Sequence, residues 1–371
     1  MAGDLAAWVA PVVGVALVGV ALLDVFLTVL YARSGAGILS HYLSSGVWAM
    51  FRRLGKLFPR RRDAILSVAG PSLLVLMAGM WIFTLVTGFA LMTWPAWEAT
   101  RPYTQQDAPT ARWTPFYFAG STMSTAGAND LRPTTRFLRT MVVVSSLVGI
   151  TAITLIITYF IEVYSALLRR NAFALQLHHA TGATGDAAEL LAGLGAGGNF
   201  AEARSELAKL SQGLADLYES HHFYESLLFF RFHEPHYAMA RVSLVVMDAA
   251  TLVTSALDSR EYLAIQKCAA MKQLWGTGMQ LLDELAKVFL PSALWAEEGP
   301  PDDATLNRWR LRYGDAVRKL REAGIKTSPD ESAGAEIYVA ERRKWDRYVR
   351  ALGDYLERDR ATVDPATHRQ N

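Results

Sequence analysis

With one cysteine, Cys268, in 371 residues, the chain has no intrachain disulfide framework. Net charge is nearly absent as well. Thirty-seven Lys and Arg stand against 35 Asp and Glu, a formal +2, which supplies no electrostatic case for nucleic acid as a partner. No Walker loop, no G-x-G-x-x-G after a strand and no cysteine zinc cluster can be found, so neither an enzyme nor a bound cofactor is expected. No internal repeat and no strand-rich nucleotide-sensing region is visible, and no apolar helix carries the arginine series of a voltage sensor. The first residues, MAGDLAAW, lack the basic region and small-residue cleavage site of a secretory leader. The apolar run behind them therefore reads as a retained membrane helix.

What is present is apolar sequence segregated from charge. Hydrophobic residues make up 51% of a chain that is also 19% charged, with mean hydropathy +0.15. Three segments, residues 10–31, 72–94 and 141–168, have the roughly 20 apolar residues that a bilayer crossing needs. The loop between the first two carries Arg33, Arg52, Arg53, Lys56, Arg60, Arg61 and Arg62 against the single acid Asp63, so it is expected on the cytoplasmic side. The N-terminus then lies outside, and everything after Arg169 and Arg170 inside: a multi-pass protein of the plasma membrane, the inner membrane of a bacterium. Within the basic loop, residues 38–58 mix Leu, Trp and Phe with Arg and Lys, as in a helix lying along the inner headgroups; a solvated linker is the alternative. The expected blocks are 1–68, the first helix and basic loop; 69–171, two membrane helices and the segment between them; and 172–371, a cytosolic helical domain.

The segment between the second and third apolar runs ends a Trp- and Phe-rich stretch, Trp113-Thr-Pro-Phe-Tyr-Phe118, and continues as STMSTAGANDLRP, residues 121–133. It resembles the pore loop of tetrameric potassium channels, whose filter reads T-V-G-Y-G-D. Thr125, Ala126, Gly127, Ala128, Asn129 and Asp130 occupy those six positions, and Thr122 and Ser124 fall on the pore-helix run before them. Asp130, Leu131 and Pro133 continue the family's D-L-x-P exit, and Val148-Gly149-Ile150-Thr151 is similar to the G-I-T of its inner helix, at the matching distance. The likeness covers about 55 residues, from Trp113 to Leu168. It implies an all-α membrane protein with three transmembrane helices, a re-entrant pore helix and a carbonyl-lined filter, passing K+ (or Na+) down its gradient. Asn129 stands where the family has its second filter glycine, and Ala128 where it has the aromatic residue that braces the filter. Those departures bear on selectivity for K+ over Na+. Two other readings of the loop are a hydrophobic hairpin with a glycine turn and a pore that folds without conducting.

One pore loop per chain implies a homotetramer in the lipid bilayer, since a ring of carbonyls needs several copies. In the third helix Gly149, Ile150, Ile153, Ile157 and Ile161 share a stripe at spacings of three and four, the expected hinge and apolar gate; packing on a neighbouring helix at Gly149 is the other reading. Asp24 interrupts the first apolar run, at a cost of roughly 2.5–3.5 kcal/mol at a helix centre. No basic residue sits at that depth in the other spans, so its expected partners are hydroxyls such as Thr84, Thr154 or Thr158, or water, in a structural role; an ion or proton relay is the alternative.

Beyond residue 171 the pattern predicts a glycine-rich flexible segment at 182–198, then helices at 200–223, 237–257, 261–289, 304–323 and 334–358. The run 242–257 reads as a buried helix rather than a crossing, being short and holding Asp248. His233-Glu234-Pro235-His236 defines no ligand set, and Trp345, Tyr348 and Tyr355 read as packing residues. This domain would carry an unknown ligand or protein partner. The second class of function is accordingly a non-conducting membrane sensor or scaffold that recruits a partner through it.

Overall fold

The computed structural model describes residues 2–31, 37–100, 113–124, 126–127, 131, 133–295, 299 and 301–364. Within them the chain is helical, with one isolated bridge between Leu257 and Thr327 in place of any strand. In chain order the first helices are α1 (Ala2–Val25, continued by a π-helical turn Phe26–Leu30), α2 (Ile38–Leu57), α3 (Arg62–Ser67), α4 (Ala69–Thr100), α5 (Thr114–Met123) and α6 (Arg136–Ala180). They are followed by α7 (Ala187–Leu194), α8 (Ala203–Phe223), α9 (Met239–Ser255), α10 (Ser259–Gln266), α11 (Ala269–Phe289), α12 (Asp303–Glu322), α13 (Glu331–Tyr355) and α14 (Arg360–Val363). Among the described residues three helices are long and apolar enough to cross a membrane: Trp8–Leu30, Ala69–Trp97 and Arg136–Ala180. The chain divides into two compact units, residues 1–50 with 70–164, and residues 51–69 with 165–371.

In the first unit α1 and α4 cross where Gly14 faces Gly88. A Cβ on Gly14 would lie 2.5 Å from the Gly88 carbonyl oxygen, so the backbones touch as small-residue membrane helices do. Below the crossing, Ala21, Leu85, Phe89, Ala119, Met123 and Ala152 close a core shared by α1, α4, α5 and α6. Asp24 is fully buried, and its partners differ from the hydroxyls expected for it. Its Oδ1 accepts from the backbone N–H groups of Leu39 (2.7 Å) and Ser40 (3.3 Å); its Oδ2 accepts from the Ser40 hydroxyl and from the Trp81 indole N–H (2.7 Å). Thr84 and Thr154 instead turn their hydroxyls back on their own helices, to the carbonyls of Met80 and Ile150. The first N–H groups of a helix have no partner inside it, and they carry partial positive charge. Asp24 thus caps α2 from a different helix, while Trp81, edge-on to Tyr159 at 6.1 Å, carries the contact on to α6. Four donors also match the acceptor capacity of one carboxylate.

Asp24→Ala is expected to destabilise the first unit by about 3–5 kcal/mol, since it leaves several buried donors unmatched. Asp24→Asn should cost roughly half of that, because one oxygen remains to accept. Protease sensitivity at residues 37–50 in detergent would report the loss; wild-type resistance in Asp24→Ala would refute the capping role.

The second unit is built around α9. Every residue of that helix except Thr254 is buried, which fits a helix apolar on all faces enclosed by neighbours. It packs against α7, α11 and α13, with α8 on α11 and α12 on α7 and α13. The segment expected to be flexible, 182–198, holds α7 instead. Asp186 caps it through the Ala188 N–H (3.0 Å), its Leu190 and Leu191 are buried, and Lys319 of α12 pairs with Asp186 (2.7 Å) and Glu189 (2.8 Å). The single helix expected over 261–289 is broken into α10 and α11, with Cys268 at the N-terminal boundary of α11. Trp345 is fully buried, its indole N–H donating to the Thr251 hydroxyl at 3.1 Å.

Two charged groups tie the ends of this unit together. Arg170 is buried and donates to the carbonyls of Leu227 (2.8 Å) and Phe230 (3.0 Å). Glu357 has φ +56°, a left-handed conformation that costs a side-chain-bearing residue about 1–2 kcal/mol. Its carboxylate meets Arg52 (Nε, 3.1 Å) and Arg62, and the carbonyls of Leu356 and Glu357 accept from Arg231. Burial pushes the Glu357 carboxyl up, but the bonds from Arg62 and Arg52 outweigh it and hold the group below the usual glutamate range. The position tolerates strain because glycine there would supply no carboxylate.

His221 makes this unit acid-sensitive. It is buried, with Nδ1 donating to the Leu217 carbonyl at 2.9 Å; burial first, then the Arg170 charge, push its pKa down to about 3. Above pH 6.5 the ring is neutral whether the chain is folded or not. As pH falls through 6.5 the unfolded chain takes up a proton that the folded one refuses, so stability is lost, by about 2 kcal/mol at pH 5. Hydrogen-exchange protection of the α8 amides, corrected for the intrinsic rate, should therefore weaken between pH 7.5 and 5, and His221→Leu should remove that share of the slope. An unchanged slope in the variant would assign the acid loss elsewhere.

Candidate functional site

The stretch from α5 to the middle of α6 collects the residues singled out by the filter-like pattern. α5 starts at Thr114 with Pro115 in its first turn, where a missing N–H and a fixed φ cost nothing. Aromatic pairs fasten it to α4: Trp97 on Phe118, ring centres 4.9 Å apart, and Trp94 on Phe116 at 6.4 Å. Leu131 and Leu138 close the same cluster from the far side of the loop.

The C-terminal end of α5 docks on α6 through three contacts. The Ser145 hydroxyl donates to the Thr122 hydroxyl (3.0 Å), and the Ser146 hydroxyl donates to the Thr122 carbonyl (3.0 Å). At Gly149 the helices meet backbone to backbone, since a Cβ there would lie 2.3 Å from the Met123 carbonyl oxygen. α6 continues unbroken through this point as one helix, so Gly149 serves close approach in this structure. Gly149 is 13 residues into α6, about 20 Å along it at 1.5 Å per residue. A ten-residue helix therefore ends deep along the apolar part of its neighbour, and the chain returns to begin α6 at Arg136.

Past Met123, Ser124 lies just beyond the helix with its N–H bonded to the Gly120 carbonyl (3.0 Å). Ala126 and Gly127 are exposed in the single chain. Gly127 has φ +74°, the left-handed region that glycine enters without a Cβ penalty, and its N–H donates to the Ser121 carbonyl at 3.1 Å. Thr125, Ala128, Asn129 and Asp130 lie outside the described residues. Of the six filter-like positions the structure thus reports on Ala126 and Gly127, and it brings Thr122 and Gly149 together.

Ile150, Ile153, Ile157 and Ile161 occupy a face of α6 that this chain leaves uncovered, at 40–59% exposure. The opposite face, Ser145, Ala152, Ile156, Tyr159 and Val163, is buried. Ser145 and Ser146 were missed in the sequence. Their signal was a pair of hydroxyls inside an apolar helix, one turn before the glycine. Among the described residues no group of three or more His, Cys, Asp and Glu is placed to hold a metal ion.

The chain is 26% identical over 321 residues to an uncharacterized membrane protein, YdjJ, of Bacillus subtilis, a match spanning 85% of this chain and 84% of that relative. No family model matches. No solved structure matches either. The described residues are helical, and the three apolar helices agree with this relative in pointing to a membrane protein.

Proposed function

We propose that this chain is the subunit of a homotetrameric cation channel of the potassium-channel type, conducting K+ passively through rings of backbone carbonyls. One observation carries the reading: α5 ends against Gly149, deep along α6, and is followed by a glycine in left-handed conformation. A helix C-terminus carries partial negative charge and favours a cation by about 0.3–1 kcal/mol at an exposed site. Four copies around an axis would aim four such ends at one point. The uncovered isoleucine face supports the arrangement, because four such stripes would form an apolar constriction able to dewet and close.

Topology is supported from a second direction. The positive-inside count puts the loop after α1 on the cytoplasmic side, and Glu357 of the C-terminal region binds Arg52 and Arg62 of that loop. Residues 51–69 and 165–371 then share one side, as α4 and α6 crossing in opposite directions require.

The test is flux of K+ and of Na+ through purified protein in liposomes. Flux favouring K+ is the expected result. Equal flux would make the pore a non-selective cation channel; none, from folded tetramer, would leave a membrane sensor or scaffold. Selectivity has its own check. With Ala128→Tyr and Asn129→Gly together, the K+ preference should rise, since an aromatic brace and a second filter glycine are restored. A preference that stays the same would sink the view that those two positions loosen the filter.

A further inference from the structure

A cavity of about 140 Å³ opens among α9, α12, α13 and α14 in the second unit. That is close to the roughly 150 Å³ engineered cavity that holds benzene. Leu244, Trp309, Val349 and Val363 supply its apolar wall. Five arginines against three aspartates line the rest, a surplus of two positive charges.

The deeper charges are already matched. Arg342 bonds Asp346 (3.0 Å) and Asp364 (3.1 Å), and Arg350 bonds Asp346 (2.7 Å). The other three are matched only loosely, each facing acids without a hydrogen bond to one among the described residues. Arg308 donates to the Thr305 hydroxyl, and Asp302, whose carboxyl its charge helps to hold low, caps α12 without lining the cavity. Arg360 comes no nearer to a carboxylate than 4.0 Å, at Asp354. Arg358 donates to the Phe232 carbonyl (2.7 Å), and burial together with the neighbouring Arg231 lowers its pKa to about 10. Guanidinium groups gathered at an apolar hollow, with no carboxylate hydrogen-bonded to them among the described residues, are the usual recognition chemistry for planar or tetrahedral oxyanions.

We propose that this cavity is a binding site for a small dianion, a phosphate monoester or a dicarboxylate, whose ring-sized apolar body fills the hollow while Arg308, Arg358 and Arg360 hold its oxyanions. The proposal rests on the second unit alone and stands or falls independently of conduction.

Calorimetric titration of the full-length protein in an uncharged detergent tests it, with phenyl phosphate and phthalate as probes and phenol as the uncharged control. Saturable binding of at least one dianion and none of phenol is expected, weakening as salt rises. Arg308→Ala combined with Arg360→Ala should weaken it by roughly a hundredfold or more, as loss of two charge-assisted hydrogen bonds predicts. Both side chains are exposed, so the fold should survive. Arg310→Ala, on the same helix but paired with Glu336 at 2.8 Å, should bind as wild type. A preference for phenyl phosphate or for phthalate identifies the oxyanion. Displacement of the probe by a short-chain phosphatidate at lower concentration would assign the phosphate to a lipid headgroup. Absence of saturable binding by both dianions, or equal binding in the double variant, would overturn the site.

Discussion

Asp248→Ala is expected to destabilise the C-terminal unit by about 3–5 kcal/mol, a large part of the 5–15 kcal/mol typical of a whole domain. Asp248 sits in the middle of α9 with no exposure. Its Oδ2 accepts from Arg312 through Nε (3.0 Å) and Nη2 (2.7 Å), and its Oδ1 accepts from Arg342 (3.1 Å) and the Tyr338 hydroxyl (2.5 Å). Asp364 meets the same two arginines from outside, and Asp346 meets Arg342. Such a cluster is not stabilising because it is ionic, since well-packed apolar residues often do as well. It is costly to open: removing the Asp248 carboxylate takes four hydrogen bonds from two buried guanidinium groups and a phenol, and leaves Asp364 and Asp346 to balance two positive charges. Burial first, then the charge and hydrogen bond of Asp248, push the Tyr338 hydroxyl far above its usual range, against the pull of Arg342 and Arg312.

Because the chain has two units, a single melting temperature would mix them. Hydrogen exchange at the α9 amides reads the right part. Asp248→Ala should lose protection there by two or more orders of magnitude, as 3–5 kcal/mol implies. Asp283→Ala, which removes an exposed pair with Lys287, should change little. Protection in Asp248→Ala within tenfold of wild type would refute the central role of the cluster.

Gly149→Leu is the second large effect, and it should abolish both cation flux and the docking of α5. Any side chain at 149 meets the Met123 carbonyl, a backbone atom that cannot rotate away. The end of α5 would have to move, breaking the Ser145 and Ser146 bonds to Thr122 and displacing Gly127, which hangs from Ser121. Overpacking of this kind costs about 1–3 kcal/mol or more. Gly79→Leu in α4 is the matched control, since open space surrounds a Cβ there. Liposome flux and tetramer recovery should fall in Gly149→Leu and hold in Gly79→Leu. If Gly149→Leu conducts as wild type, the α5 contact does not position the conducting segment.

The limits of sequence reading are visible at particular residues. Asp24 stood out as an acid in an apolar run, but its partners lie 15 to 57 positions away, and nothing local to α1 names Trp81 or Ser40. α7 was hidden because eight residues are too few for a helix to hold in isolation, and its stability comes from α9 and α12. The break before α11 fell at Lys267 and Cys268, where neither glycine nor proline marks it. The isoleucine stripe had the right spacing, yet an all-apolar helix has no visible inside. Only the packing of Ala152, Ile156 and Tyr159 showed which face the chain keeps for itself.

By itself the sequence determined what depends on neighbours along the chain. Runs of about 20 apolar residues set the three membrane helices, arginine bias set their expected direction, and a threonine- and glycine-bearing loop lay between the last two. Tertiary structure decided what depends on residues far apart: that Asp24 caps α2, that residues 51–69 of the basic loop belong with the C-terminal unit and meet Glu357, and that Asp248 gathers arginines from α12 and α13. The reason is one of range. Hydropathy and helix periodicity are properties of a window, whereas the pairing of a buried charge is settled by whichever donors the fold brings within hydrogen-bonding distance.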